Sequence, residues 1–362
     1  MTTNGTTATL VYIGIGTYTP SMPHVTGKAG GIEVYHLDSA TGALTFAHRL
    51  EGVVNPSYLT LDPRRRYLYC VEEIAEGRVR AFRIDPSTGM LTTLNYQSSY
   101  GSGPNYVSVD KEGRWVLVAN YDSGSVAVLP VQEDGGLGTA TDVVQHEGRS
   151  IHAERQKGPH AHWTGMDLAN RFALVVDLGL DAIVSYRLDG TDGRLVRNDA
   201  CAMQPGAGSR HLAFRPDGRY VYVMNELDST LVTCAYNATT GGLRPIQRLS
   251  TVPPHFTGTN WTAAVRIAPS GRFVYGSNRG HDSIVIFASD PATGMLSYMG
   301  HEPTQGRTPR DFNIDPTGTF LFVANQDSNT IVTFRIDSVT GQLSATGQVT
   351  EATTPACIDF GW

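Results

Sequence analysis

Short apolar runs broken by tight turns mark this chain from end to end. Within 208–227, a brief apolar run at 212–214 meets the turn Pro216-Asp217-Gly218, and a second run follows at 220–224. Charged side chains stand at the outer ends: Arg210 and His211 before the first run, Glu226 after the second. The plan recurs. Taking the residue that closes each first run as an anchor gives Asp62, Asp110, Asp167, Arg215, Ala268 and Asp315, spaced 48, 57, 48, 53 and 47 residues apart. A period near this length, built from short alternating strands with Gly and Pro turns, predicts four-stranded propeller blades.

Each unit supplies its strands in order. Second strands are predicted at 67–71, 115–119, 172–176, 220–224, 273–277 and 320–324, and third strands at 79–84, 125–129, 183–188, 231–236, 284–287 and 331–336. β-Branched and aromatic residues dominate these runs, as a pleated surface favours. The fourth strand begins at a Thr-Gly turn, Thr88-Gly89 or Thr340-Gly341, with relatives at Gly193 and Gly294. Residues 9–50 carry second, third and fourth strands but no first, and 355–360 reads as a lone first strand. Together they complete a seventh blade and leave no free sheet edge. The prediction is an all-β fold: one seven-bladed β-propeller domain spanning 1–362, closed by the C-terminal strand joining the N-terminal blade.

In a propeller the first strand of each blade lines the central channel, and its beginning opens on one face. Five residues before the anchors stand Ser57, Asn105, His162, Arg210, Ala263 and Arg310, with Ala356 in the closing strand. Eleven residues after them stand Glu73, Tyr121, Leu178, Glu226, Arg279 and Gln326; ten after, Glu72, Asn120, Asp177, Asn225, Asn278 and Asn325. These positions form rings around one channel mouth and bring His162, Arg210, Glu226, Arg279 and Arg310 together, with His211 and His281 beside two of the arginines. One arginine near a glutamate is most often a structural ion pair. Three at equivalent edges point to a carboxylate or phosphate. The recurrent asparagines read as turn caps rather than chemistry.

Charge sharpens this. The net charge is −6, which gives the molecule no general affinity for nucleic acid or an anionic membrane, so an anion site must be a local cluster. Cys70, Cys201, Cys234 and Cys357 are far apart, each in or beside an apolar run, and read as reduced core thiols. The first eight residues lack Lys and Arg, and no apolar run approaches the roughly 20 residues of a membrane span. The expectation is a cytoplasmic protein without a signal peptide; oligomeric state is not readable.

The largest departure from the repeat is 146–162, with four histidines, Arg149, Arg155 and Lys157. It explains the 57-residue spacing and reads as a functional loop over the mouth. His160 and His162 are two apart and share a face if extended, but no convincing third metal ligand accompanies them, so no metal is predicted.

Several stretches also resemble a known family. They are Gly16-Thr17-Tyr18-Thr19, Asn55-Pro56-Ser57, Ala119-Asn120-Tyr121 with Gly124-Ser125, Arg155-Gln156 followed by Pro159-His160-Ala161-His162, Asp177-Leu178-Gly179 with Asp181, Pro205-Gly206-Ala207-Gly208 with Arg210-His211, Asn225-Glu226-Leu227, and the run from Ser277-Asn278-Arg279 to His281-Asp282-Ser283. In this order, from about Tyr12 to Phe360, they resemble the seven-bladed propeller lactonases, which include the propeller-type 6-phosphogluconolactonases and the fungal carboxy-cis,cis-muconate cyclase. The resemblance implies a site at the channel mouth made of His160 or His162, Arg210, Glu226 and Arg279. Ser209 stands where many relatives have Pro, and Val265 where many have an acid, which leaves Glu226 as the main acid at the mouth.

The leading functional expectation is hydrolysis of a sugar lactone, most readily 6-phosphoglucono-1,5-lactone, by a carboxylic ester hydrolase that needs no cofactor. His162 or Glu226 is the expected base and Arg210 or Arg279 the oxyanion partner. His160, His211, His281, Arg310, Asn105, Tyr121 and Asp177 are expected to bind the anionic substrate. The alternatives are the reverse chemistry, closing a muconate to a lactone, and a non-catalytic binding propeller.

Overall fold

The computed structural model describes residues 9–15 and 30–361; Gly16 to Thr19 of the family-like motifs lie outside them. Seven four-stranded antiparallel sheets form a ring. Numbered round the ring, blades 1 to 6 span 59–98, 104–145, 161–202, 209–250, 261–303 and 309–351. Blade 7 joins Cys357–Phe360 to Thr9–Ile15, Gly31–Leu37 and Leu44–Glu51. The first strand of each blade touches the first strand of the next, and the closing strand touches those of blades 6 and 1. Among the described residues no helix is long and apolar enough to cross a membrane.

The burial of each strand follows its place in the blade. Second strands lie between neighbouring sheets, so both faces are covered; Trp115–Asn120, Phe172–Asp177 and Phe320–Asn325 are buried throughout. That is why they read as continuous apolar runs rather than alternating ones. Fourth strands face solvent on one side and alternate, as in Leu343–Glu351.

Two devices lock blade to blade. The hairpin glycine before each fourth strand sits against the start of a neighbouring blade's second strand. A Cβ on Gly341 would meet the Phe273 ring at 2.3 Å, and the Gly341 carbonyl accepts from the Tyr275 hydroxyl at 2.9 Å. Gly341 has φ 74°, so glycine is required there by conformation and by contact. The second device is the recurrent asparagine. Asn120, Asn278 and Asn325 donate from Nδ2 to the carbonyls of Ser99, Thr251 and Thr304, each at the end of the preceding blade. These three are latches between blades rather than the local turn caps predicted from the sequence; Asn225, the fourth of the series, bonds within its own blade, donating to Thr230 Oγ1 and accepting from Ser209 Oγ.

The anchors also shift in meaning. Each lies one residue beyond its first strand and opens the following turn. The Oδ1 atoms of Asp62, Asp110, Asp167 and Asp315 accept two backbone N–H groups each, from Arg66 and Tyr67, Arg114 and Trp115, Arg171 and Phe172, and Thr319 and Phe320. Arg215 instead crosses to blade 5, donating to the Pro291 carbonyl at 3.1 Å.

The closing strand is stitched on both flanks. Val11 to Gly14 pair with Phe360 to Cys357, while Asn313 Nδ2 donates to the Ile358 carbonyl and the Ile358 N–H donates to Asp311. Ile358 is 1% exposed. Ile358→Ala is expected to cost about 2–5 kcal/mol, seen as a lower midpoint in chemical denaturation. An unchanged midpoint would show that this strand does not hold the ring closed.

Candidate active site

Five of the seven first strands, those of blades 2 to 6, begin with an irregularity. The register shifts between Pro104 and Tyr106, Ala161 and Trp163, Ser209 and His211, Thr262 and Val265, and Pro309 and Asp311. Asn105, His162, Arg210 and Arg310 are the bulged residues. A regular strand sends consecutive side chains to opposite faces; a bulge re-aims one. Asn105, His162 and Arg210 therefore face the mouth, while their successors Tyr106, Trp163 and His211 pack in the channel beneath.

Those successors make a floor. Tyr58 and Tyr106 stack with ring centroids 3.9 Å apart, and His211 meets both edge-on at 6.1 and 5.2 Å. Above lies a cavity of about 720 Å³. Its lining includes Glu73, Asn105, Tyr121, Asp122, Arg155, His162, Arg210, Glu226, Trp261, Arg279, Arg310 and Asp327. Below lies a separate 270 Å³ space beside Arg266 and Asp359.

Glu226 organises the mouth. Its Oε1 accepts from Arg155 Nη2 at 2.6 Å; its Oε2 accepts from Arg210 Nε at 3.0 Å and Arg279 Nη2 at 2.8 Å. Burial alone would raise this carboxyl, but Arg279, Arg155 and Arg210 together hold it well below the usual carboxylate range. Arg155 also donates to the Tyr121 hydroxyl at 3.0 Å and lies over the Trp261 ring, 5.6 Å from its centroid. Burial and the neighbouring Arg279 bring Arg210 down to about 10, and burial brings Arg310 to about 10; both stay charged at neutral pH.

The two central histidines are neutral. Burial, then the charge of Arg210, holds His162 well below the ordinary histidine value, and the same two causes lead at His211. Arg210 Nη1 lies 3.1 Å from His211 Nε2; the guanidinium can only donate, so the ring proton of His211 is on Nδ1. His162 Nδ1 is buried without a hydrogen-bond partner.

Seven of the eleven site residues expected from the sequence line this cavity: His162, Arg210, Glu226, Arg279, Arg310, Asn105 and Tyr121. Four do not. His160 stacks on Tyr121 with centroids 4.5 Å apart and bonds the Tyr121 carbonyl through Nδ1 at 2.8 Å. The bulge after Ala161 separates it from His162, so the pair does not act as one face. His211 belongs to the floor. Asp177 is fully buried, holding His146 Nδ1 at 2.7 Å and accepting from the His160 N–H at 2.8 Å. His281 lies outside the cavity against Phe256 and His301 and bonds Ser283 Oγ at 2.6 Å. No group of three or more His, Cys, Asp or Glu side chains among the described residues is placed to hold a metal ion.

Arg155, Glu73, Asp122, Trp261 and Asp327 are further lining residues. Arg155 stands in a quoted motif and Glu73 in the eleven-residue count, but nothing local sets them apart from Arg149 or Glu72. Glu226, the main acid expected at the mouth, shares the lining with Glu73, Asp122 and Asp327.

The family description "Lactonase, 7-bladed beta-propeller" matches residues 12–360. This chain belongs to that family. Among its relatives, the 6-phosphogluconolactonase of Bacillus subtilis is 40% identical over 84% of this chain and 85% of its own length. The 6-phosphogluconolactonase of Formosa agariphila is 35% identical over 83% and 85%. The solved structure of a Pseudomonas aeruginosa periplasmic gluconolactonase superposes with TM-score 0.90 at 34% identity, covering 97% of this chain and 99% of that one.

In this lactonase the mouth depends on one carboxylate. Glu226→Gln leaves three arginines around a neutral amide and is expected to cost about 3–5 kcal/mol at neutral pH. The folded Glu226 carboxyl lies below its ordinary value, so its contribution is full above that value and is lost as the pH falls below it. The denaturation midpoints of wild type and E226Q should therefore converge from about pH 5 downward. A gap independent of pH would mean that the carboxylate is not the stabilising species.

Proposed function

We propose that this protein hydrolyses a sugar lactone, with 6-phosphoglucono-1,5-lactone as the preferred substrate. The observation carrying the reading is a neutral histidine, His162, inside a 720 Å³ cavity that also holds four arginines. Family membership and the names of the relatives support it.

Ester hydrolysis needs a base for water and a cation for the oxyanion. The sequence leaves the base open between His162 and Glu226. Glu226 is a poor base, because its oxygens accept from three guanidinium groups and its carboxyl is held well below the usual range. His162 is neutral and takes the proton as water attacks the carbonyl carbon. Arg279 is the more open of the two candidate oxyanion partners, its side chain 12% exposed against 3% for Arg210, and it faces the developing negative oxygen. Arg210 holds Glu226 and His211 in place behind it. Arg310, from the neighbouring blade 6, takes the phosphate of the substrate. Side chains of this chain supply every step. The four cysteines are free and buried, a state that a reducing compartment preserves, and we assign the protein to the cytoplasm.

The test is proton release from freshly made 6-phosphogluconolactone beside unphosphorylated gluconolactone, after subtraction of spontaneous opening. The phosphorylated lactone should be strongly preferred. Arg310→Ala should raise its KM by roughly 10- to 100-fold, the worth of one charged hydrogen bond, and leave the unphosphorylated substrate little changed. No acceleration of either lactone would overturn the reading; equal losses on both would remove Arg310 from phosphate recognition.

A further inference from the structure

Glu73 and Glu226 occupy equivalent positions, eleven residues after the anchors of blades 1 and 4. Both line the same cavity, and both are at least 94% buried. Their surroundings differ. Glu226 is held by three arginines. The charges acting on Glu73 are Asp122 from blade 2, which opposes ionisation, and Arg210 from blade 4, which favours it; the Ser57 side chain also stabilises the ionised form. Burial dominates and pushes the Glu73 carboxyl up to about 8. One carboxyl of the pair is thus ionised at neutral pH and the other protonated. Where two carboxyls in one site are driven apart in this way, the protonated one is placed to act as an acid.

The backbone holds Glu73 firmly. Its N–H donates to the Asn55 carbonyl at 3.1 Å, and Asn55 Nδ2 donates to its carbonyl at 3.2 Å. The neighbouring Glu72 does different work, bonding Arg78, Arg80 and the Val54 N–H. Glu73 also lies two blades round the ring from His162. A substrate filling the mouth meets the base on one flank and this carboxyl on another.

Lactone opening needs such a group. Water adds to the carbonyl carbon and gives its proton to His162. The bond from that carbon to the ring oxygen then breaks, and the departing alkoxide is far too basic to leave unprotonated at neutral pH. We propose that Glu73 is the general acid of the reaction, transferring its carboxyl proton to the ring oxygen as the ester bond breaks. The product is the open hydroxy acid. Glu73 is left ionised and His162 protonated; solvent returns a proton to Glu73, His162 gives its own up, and the product carboxyl ionises, so one proton is released per turnover. This assignment rests on the lactone-hydrolysis reading.

The test compares wild type, Glu73→Gln and Glu73→Asp by kcat against pH, alongside infrared spectra of the carboxyl stretch. Glu73→Gln keeps the shape but cannot protonate the alkoxide. Its kcat should fall by roughly 100-fold or more with KM little changed, and the wild-type decline in rate above about pH 8 should disappear. Glu73→Asp should recover part of the rate together with that decline. The wild-type spectrum should show a protonated carboxyl at pH 7 that is absent from Glu73→Gln. An unchanged kcat, or an unchanged alkaline decline, in Glu73→Gln overturns the role. If Glu73→Gln does not fold, the wild-type spectrum and Glu73→Asp decide: no titrating carboxyl near pH 8 overturns it. A wild type that shows the titrating carboxyl but opens no lactone overturns the lactone reading, and the acid role with it.

Discussion

Burying positive charge at the centre of a ring is the problem this molecule solves, and Glu226 is the solution. Arg210 and Arg279 share one carboxylate oxygen, and Arg155 takes the other. Without that counter-charge, like charges would face each other across a few ångströms with little water to screen them. The depressed Arg210 shows how close the balance runs. The arrangement also gives an acidic protein a local positive mouth. Three guanidinium groups around one carboxylate leave an excess of positive charge, and Arg310 adds to it against Asp122 and Asp327 in the same lining.

The same contact ties the least regular segment to the most regular part of the fold. Residues 146–160 have no blade of their own. They are held at one end by His146, bonded to Asp177 and Tyr186, and near the other by Arg155 on Glu226. Gln156 fixes the turn between them, donating to the Leu178 carbonyl and accepting from the His152 N–H. The loop becomes a wall of the cavity because a buried charge draws it inward, and Tyr121 and Trp261 are fixed by the arginine that does so.

Much of this is legible in the residue pattern. The period near 48 residues, the Thr-Gly hairpins and the split seventh blade predict seven blades with the strands where they are found. Counting from the anchors also brings His162, Arg210, Glu226, Arg279 and Arg310 to one mouth, because repeat-equivalent residues occupy equivalent places in a ring. What the count lacked was direction. His211 is adjacent to Arg210 and His281 is two residues from Arg279, yet one lies in the floor and the other outside the cavity. Their placement depends on the strand bulges and on packing against other blades, and neither leaves a local mark in the residue pattern.

The sequence by itself determined the repeat, the closure of the ring and which residues ring the channel, since these follow from periodicity and short-range turn chemistry. Tertiary structure alone decided protonation and partnership. Glu73 and Glu226 are the same residue type at the same repeat position, and only the burial and the charges gathered around each make one a protonated acid and the other a fixed anion. Those neighbours are tens to more than a hundred residues away along the chain. An electrostatic environment is a sum over what lies nearby in space, so the order of residues cannot display it.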